Sequence, residues 1–300
     1  PYMARFFARA GADVVAIAGT SPATVAEARA DLAGAGISAE GHLSVPALLE
    51  QVAPDVLVVA SPAEAHDEAL VAAAEAGCHV LCEKPLVWGT GDEAARAKRH
   101  VDAFMSRGLH LRVAAQWPFT LEAYRALHHL APTSVPRSFA MHLSPSRTGR
   151  VMIPDAMPHV ISMLAALAPG AGAMLEAPRI EVRTPEDVHV WFTYRAETHA
   201  IDTEVTLCHA KRQPRRAAYA LDGAWVERKV EQPGYQLVFE AGEQREPLAD
   251  PLDALVRDFI ARVSSSAPPE PDPVAYPGTA HVAALAAAWP QAEETRKHPA

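Results

Sequence analysis

Apolar positions in the first third of the chain gather into short unbroken runs: VVAIAG at 14–19, VLVVAS at 56–61, HVLCEK at 79–84 and LRVAAQ at 111–116. Runs that are apolar on both faces and separated by helix-like stretches predict parallel strands of a doubly wound sheet. The stretches between them are Ala-rich and amphipathic. They predict helices from Ala4 to Ala10, from Pro22 to Leu32 after Ser21 as a cap, and from about Ala65 to Ala76 with a stop at Gly77. Gly34-Ala35-Gly36 follows a helix and not a strand, so it reads as a helix stop before a short strand near Ile37.

Beyond Pro118 the texture changes. A helix is expected over Leu121–Leu130, a strand over Arg137–Leu143 and a helix over Pro158–Leu167. Strand-like stretches then follow one another over Ile180–Thr184, Val188–Tyr194, Thr203–Cys208, Arg216–Leu221, Ala224–Val230 and Tyr235–Glu240. Consecutive short strands without helices between them predict a mostly antiparallel sheet in an α+β unit. Helices near 251–263 and 278–289 finish the chain, and the Pro-rich SSSAPPEPDP stretch at 264–273 is a surface connection. The expected organisation is α/β, with a Rossmann-like unit over 1–118 and an α+β unit over 119–300.

Composition narrows the function classes. Half of the residues are hydrophobic (49%), yet no apolar run reaches the roughly 18 to 20 residues that cross a bilayer, so a membrane span is not expected. A net charge of -9 with no basic block argues against nucleic acid and leaves small molecules as ligands. Cys78, Cys82 and Cys208 form no disulfide-like or zinc-like spacing, which suits a reducing, cytoplasmic compartment and predicts no metal. His128, His129 and His142 have no Cys or carboxylate at ligand spacing and are read as structural or solvated. Asp13 interrupts the opening apolar stretch, so residues 1–19 read as helix, turn and strand, not as a signal peptide.

The densest chemical signal is AGCHVLCEKPL at 76–86, where Glu83-Lys84-Pro85 leaves the carboxyl end of a strand, the edge at which open α/β sheets bind ligands. Upstream, Ser61-Pro62 is followed by His66; downstream, Asp155 and His159 stand four residues apart, the spacing that shares one helix face. In these motifs and their order the chain resembles the glucose-fructose oxidoreductase, inositol dehydrogenase and rhizopine-catabolism (Gfo/Idh/MocA) family. The match is dense from about Val14 to Pro85, thinner through His159, and architectural after that.

The resemblance implies a nicotinamide-dependent oxidoreductase acting on a secondary alcohol of a sugar, cyclitol or related molecule. Lys84, Asp155 and His159 are its implied catalytic group. A neutral His159 is suited to take the hydroxyl proton, Lys84 to stabilise the alkoxide charge, and Asp155 to orient His159 or to hold Lys84 charged. Implied cofactor contacts are Gly19, Thr20, Ser21, Ser61, Pro62, His66, Glu83, Lys84 and Gln116; implied substrate contacts are Lys84, Asp155, His159 and Trp117. Trp117 stands where family members often carry Arg, so core packing competes for it. The family also implies a homodimer or homotetramer built through the second-half sheet.

Two departures matter. A glycine-rich turn after a first strand should cradle the pyrophosphate, and none is present, so a strand and its loop are expected upstream of Pro1. After VVAIAG, Gly19-Thr20-Ser21 carries no acidic residue for a ribose 2′-hydroxyl, which favours NADP over NAD, although no Arg stands next to it. The alternatives are a non-catalytic ligand or dinucleotide sensor on the same fold, and an imine or enone reductase.

Overall fold

The computed structural model describes residues 2–290 except 90, 171, 232 and 234. Its first half alternates helix and strand: α1 (Tyr2–Arg9), β1 (Ala16–Ala18), α2 (Pro22–Gly34), β2 (Glu40–His42), α3 (Val45–Val52), β3 (Val56–Val59), α4 (His66–Glu75), β4 (His79–Cys82), α5 (Glu93–Ser106) and β5 (Leu111–Val113). All pairings here are parallel, in two separate ladders, β1-β2 and β3-β4-β5. Helix starts follow the local chemistry. Ser21 accepts from the Thr24 amide in a capping box ahead of Pro22, and Ser44 accepts from the Ala47 amide.

The second half holds α6 (Leu121–Leu127), β6 (Ser138–Leu143), α7 (Met152–Leu167), β7 (Met174–Thr184), β8 (Asp187–Ala196), β9 (His199–Cys208), β10 (Ala217–Leu221), β11 (Ala224–Glu231), β12 (Gln236–Ala241) and β13 (Gln244–Leu248), then α8 (Pro251–Val263) and α9 (Gly278–Ala287). The eight strands form one sheet in the order β13-β12-β11-β10-β6-β9-β8-β7, antiparallel except where β6 meets β9. Strict alternation along β8 buries Val188, Val190, Phe192 and Tyr194 on one face, where α7 packs. The opposite face stays half-open.

Rossmann-type parallel ladders followed by a large, mostly antiparallel sheet are the architecture expected from the sequence. Several details differ. The short strand expected near Ile37 forms at Glu40–His42, where it pairs with β1, and β1 keeps only three residues with Val15 left 45% exposed. α3, α5 and β13 were not expected individually. α7 starts at Met152 and runs through Pro158, which had been taken as its beginning. A proline inside a helix removes one backbone bond, but Met152, Ile153, Ala156 and Met157 are all buried against the sheet, and that packing outweighs the loss.

The end of the chain returns to the first half. On α8, Leu255, Val256 and Phe259 pack with Met3, Phe6 and Phe7 of α1 and with Leu81 and Ala114, and the Phe259 and Phe7 rings meet edge to face at 6.3 Å. Further on, the buried Asp272 accepts the Val113 amide of β5 at 2.7 Å and the Val274 amide at 2.8 Å, with Arg112 at 3.6 Å. Helix α8 and the segment around Asp272 thus pack against the first half, while Val282, Leu285 and Ala286 of α9 join the core of the large sheet. No helix among the described residues is long and apolar enough to cross a membrane.

Two outcomes follow from this packing. Truncating Phe259 to Ala destabilises the protein by about 3–5 kcal/mol in urea denaturation, the usual cost of an emptied aromatic site. The second concerns His79, His110, His128, His142, His159 and His281, whose pKa values all lie below the free value of 6.5, with burial the leading cause in each. Below that value the unfolded chain binds protons that the folded chain refuses, so stability present at neutral pH is lost as pH falls through 6.5. Melting temperature is expected to drop between about pH 7 and about pH 5; a flat profile over that window contradicts the assignment.

Candidate active site

β4 ends at Cys82, and the Glu83 amide still donates to the Val59 carbonyl at 2.8 Å, so Lys84 is the residue at which the chain leaves the sheet. His66 fixes that exit from behind. Its ring is fully buried, with Nε2 at 2.8 Å from the Ser61 carbonyl and Nδ1 at 3.0 Å from the Leu86 carbonyl and 3.3 Å from Cys82 Sγ. Burial holds the Cys82 thiol far above its ordinary pKa, so it stays protonated beside the Nδ1 edge of the ring. His66 thus joins the loop after β3 to the loop after β4. A direct cofactor contact, implied for it by sequence, does not fit a ring with no exposed surface. Its influence passes through Ser61 and Pro62, both exposed at the end of β3.

Across the gap, Lys84 Nζ donates to Asp155 Oδ1 at 2.9 Å and to the Asp155 carbonyl at 2.6 Å. Both side chains are mostly withdrawn from solvent, at 17% and 32% exposure. Two ammonium hydrogens are spent on Asp155, which leaves the third for a ligand oxygen. One turn later on α7, His159 presents a half-buried ring whose Nδ1 is sealed and has no hydrogen-bond partner. Its pKa lies well below 6.5 because of burial first, then the charges of Lys84 and Arg228, so the imidazole is neutral at physiological pH. Of the two partners weighed for Asp155, the carboxylate takes Lys84.

Trp117, in the 3-10 turn Trp117–Thr120 after β5, is nearly fully buried and forms the floor. Its ring centroid lies 6.3 Å from that of His159 and 6.1 Å from that of Tyr219. The Arg228 guanidinium lies over the same indole at 5.0 Å. Arg228 was not anticipated. The signal that finds it is the alternation in β11, where Val226 and Val230 point into the core and Arg228 occupies the inward position between them.

The other strand-end residues spread along the carboxyl edges. Gly19 continues the β1–β2 ladder by donating to the His42 carbonyl at 3.0 Å, and a Cβ there would sit 2.9 Å from Val25 Cγ2, so this glycine serves helix packing. The Ser21 hydroxyl is occupied by its capping role, and Thr20 is exposed. Arg29 Nε is bound to the Ala39 carbonyl at 2.9 Å and is not turned to the strand end. Glu83 accepts from the Lys84 amide at 3.3 Å, and Gln116 is half-buried just before Trp117. The residues present fit an alcohol beside the redox end of a dinucleotide: an ammonium with a free hydrogen and a neutral imidazole suit an oxygen that gains and loses charge. Among the described residues no glycine-rich strand-to-helix turn is found for the pyrophosphate end, and no group of three or more His, Cys, Asp or Glu is placed to hold a metal ion.

Comparison with known proteins bears on the fold and on the first part of the chain. Residues 1–115 match the model of an oxidoreductase family with an NAD-binding Rossmann fold. The chain is 39% identical over 101 residues to an inositol 2-dehydrogenase of Streptomyces avermitilis, covering 34% of this chain and 27% of that one. It is 30% identical over 185 residues to the inositol 2-dehydrogenase of Leifsonia xyli, covering 57% and 53%. These matches span between about a quarter and about half of the relatives' length. In three dimensions the chain superposes on the UDP-N-acetylglucosamine 3-dehydrogenase of Acidithiobacillus ferrooxidans with a TM-score of 0.67 at 20% identity, covering 96% of this chain and 92% of that one, which speaks for the fold. The strand-end Glu-Lys-Pro lies inside the matched stretch, so residues 1–115 are similar to the NAD-binding Rossmann-fold portion of the Gfo/Idh/MocA oxidoreductase family.

Proposed function

We propose that this protein transfers a hydride between a nicotinamide dinucleotide and a secondary alcohol carbon of a sugar, cyclitol or related small molecule. The observation that carries the reading is the Lys84–Asp155 pair at the end of β4 with a neutral His159 one helical turn away. A bound nicotinamide supplies the hydride acceptor. Lys84, held in place by Asp155, donates its remaining hydrogen to the substrate oxygen and stabilises the charge that grows there. His159 receives the hydroxyl proton as the carbonyl forms. Trp117 holds the imidazole from below and keeps water out of that side. Thr20, Ser61 and Gln116 offer polar groups along the strand ends for the dinucleotide, and Gly19-Thr20-Ser21 brings no carboxylate against a 2′-phosphate, which favours NADP.

The same reading extends to assembly. The outer face of the large sheet carries Trp191, stacked on His189 at 5.6 Å and covered by Arg179 at 4.0 Å, together with exposed Met174 and Trp225. Such apolar groups on an open sheet support association of two or four copies through this face. Sedimentation analysis is expected to show a dimer or tetramer that weakens in the Trp191→Arg variant; a wild-type monomer contradicts it.

Titration with NADPH and NADH, read by nicotinamide fluorescence, tests the core of the reading: micromolar binding, tighter for NADPH, is expected. No binding of either cofactor favours a ligand sensor. Lys84→Met is expected to lower kcat/KM with myo-inositol or glucose by about 10³-fold, and His159→Asn by about 10²- to 10⁴-fold. Because the proton acceptor is neutral above its depressed pKa, kcat/KM should stay level as pH falls through 6.5 and decline only further down. An acidic limb centred on 6.5 would show that His159 is not the acceptor.

A further inference from the structure

Inward positions of a sheet strand beside a hydrophobic core ordinarily hold apolar side chains. β11 obeys this at Val226 and Val230 and breaks it at Arg228, whose cross-strand neighbour is the fully buried Phe239. The guanidinium forms no ion pair among the described residues, and its Nε is sealed from solvent without a hydrogen-bond partner. The acidic groups that face it, Asp250 and the phenols of Tyr2 and Tyr235, act on it only at longer range, and Asp250 is occupied in capping α8 through the Leu252 amide at 2.9 Å. Burial correspondingly pulls the guanidinium pKa down from its ordinary value. An arginine desolvated this far and left unpaired is destabilising, and the groups that normally offset such a cost are carboxylates or phosphates.

Its place in the molecule says where that partner comes from. The guanidinium lies over the Trp117 indole, and the same indole packs against His159, so Arg228 and the imidazole flank one aromatic floor. Lys84 closes the other side, with its charge already matched by Asp155. The Lys84 and Arg228 charges both act on the His159 imidazole, so a ligand oxygen set between Lys84 and His159 has the Arg228 guanidinium in its surroundings.

We propose that Arg228 is a specificity residue of this site that receives an oxyanion, a carboxylate or a phosphate, carried by the alcohol substrate. The substrate class is thus an acidic sugar or sugar derivative, in place of a neutral polyol. This rests on the oxidoreductase reading for the alcohol but not for the anion. The planar fork of arginine matches either oxyanion with two parallel bonds, and stacking on Trp117 fixes its plane before the ligand arrives.

Equilibrium binding of D-glucuronate, D-glucose 6-phosphate and neutral D-glucose, measured by calorimetry on the full chain and repeated on Arg228→Met and Arg228→Lys, tests the proposal. At least one acid is expected to bind on the order of a hundredfold more tightly than glucose, and the two acids identify which oxyanion is taken. That preference should fall about a hundredfold in Arg228→Met and partly in Arg228→Lys, which keeps the charge but loses the fork. Without ligand, Arg228→Met should melt several degrees above the wild type, because a desolvated, unpaired charge has been removed; this readout shows that the variant folds. Acids that bind no better than glucose, or equally well to Arg228→Met, overturn the proposal. If the acids bind through Arg228 while no alcohol is oxidised, the anion site stands and the oxidoreductase reading fails. If a neutral polyol is oxidised while glucuronate and glucose 6-phosphate gain nothing from Arg228, the reverse holds.

Discussion

The bond between Lys84 and Asp155 is the constraint on which the rest of the site depends. It joins the chain just beyond a parallel strand to the first turn of a helix in the second half, and two oxygens of one residue share one ammonium. Neither partner is free to move alone, because a half-withdrawn charge without its mate costs several kcal/mol. The strand end is held from behind by His66, whose ring ties the loops after β3 and β4 together. The helix is held by its buried face, Met152 through Leu164, against the large sheet. The salt bridge thus ties the strand end to the helix, and the position of His159 follows from it by a single helical turn.

Electrostatics inside the site run against those of the whole molecule. The chain carries a net charge of -9, yet the floor around Trp117 gathers Lys84, paired with Asp155, and the unpaired Arg228. Burial first, and these two cations after it, oppose protonation of His159 and keep it neutral. Concentrating two cations in a withdrawn pocket while the surface stays acidic separates the demands of solubility from those of chemistry.

What could be read from the sequence follows from the range of the forces involved. The parallel strands and the antiparallel run announce themselves through local alternation and through unbroken apolar runs, and Lys84, Asp155 and His159 through spacing. The start of α7 was not legible, because Pro154 and Pro158 argue against a helix locally and only the sheet beneath makes it worthwhile. The burial of His66 was not legible either: its ring is spent on Ser61 and Leu86, five and twenty residues away. Arg228 sits in a strand whose outer face is equally charged at Glu227 and Lys229, so its inward direction emerges only when Val226 and Val230 are fixed in the core. Long-range partners of this kind leave no periodic trace.

The carboxylate of Asp272 binds the backbone amide of Val113, and Ala275 lies in the core under β4 and β5. During synthesis, β5 is made more than a hundred and fifty residues before the group that satisfies its amide. The nascent first half therefore waits on the ribosome with that edge unpaired and with the apolar side of α1 uncovered by α8. Completion of the first half is thus coupled to completion of the chain.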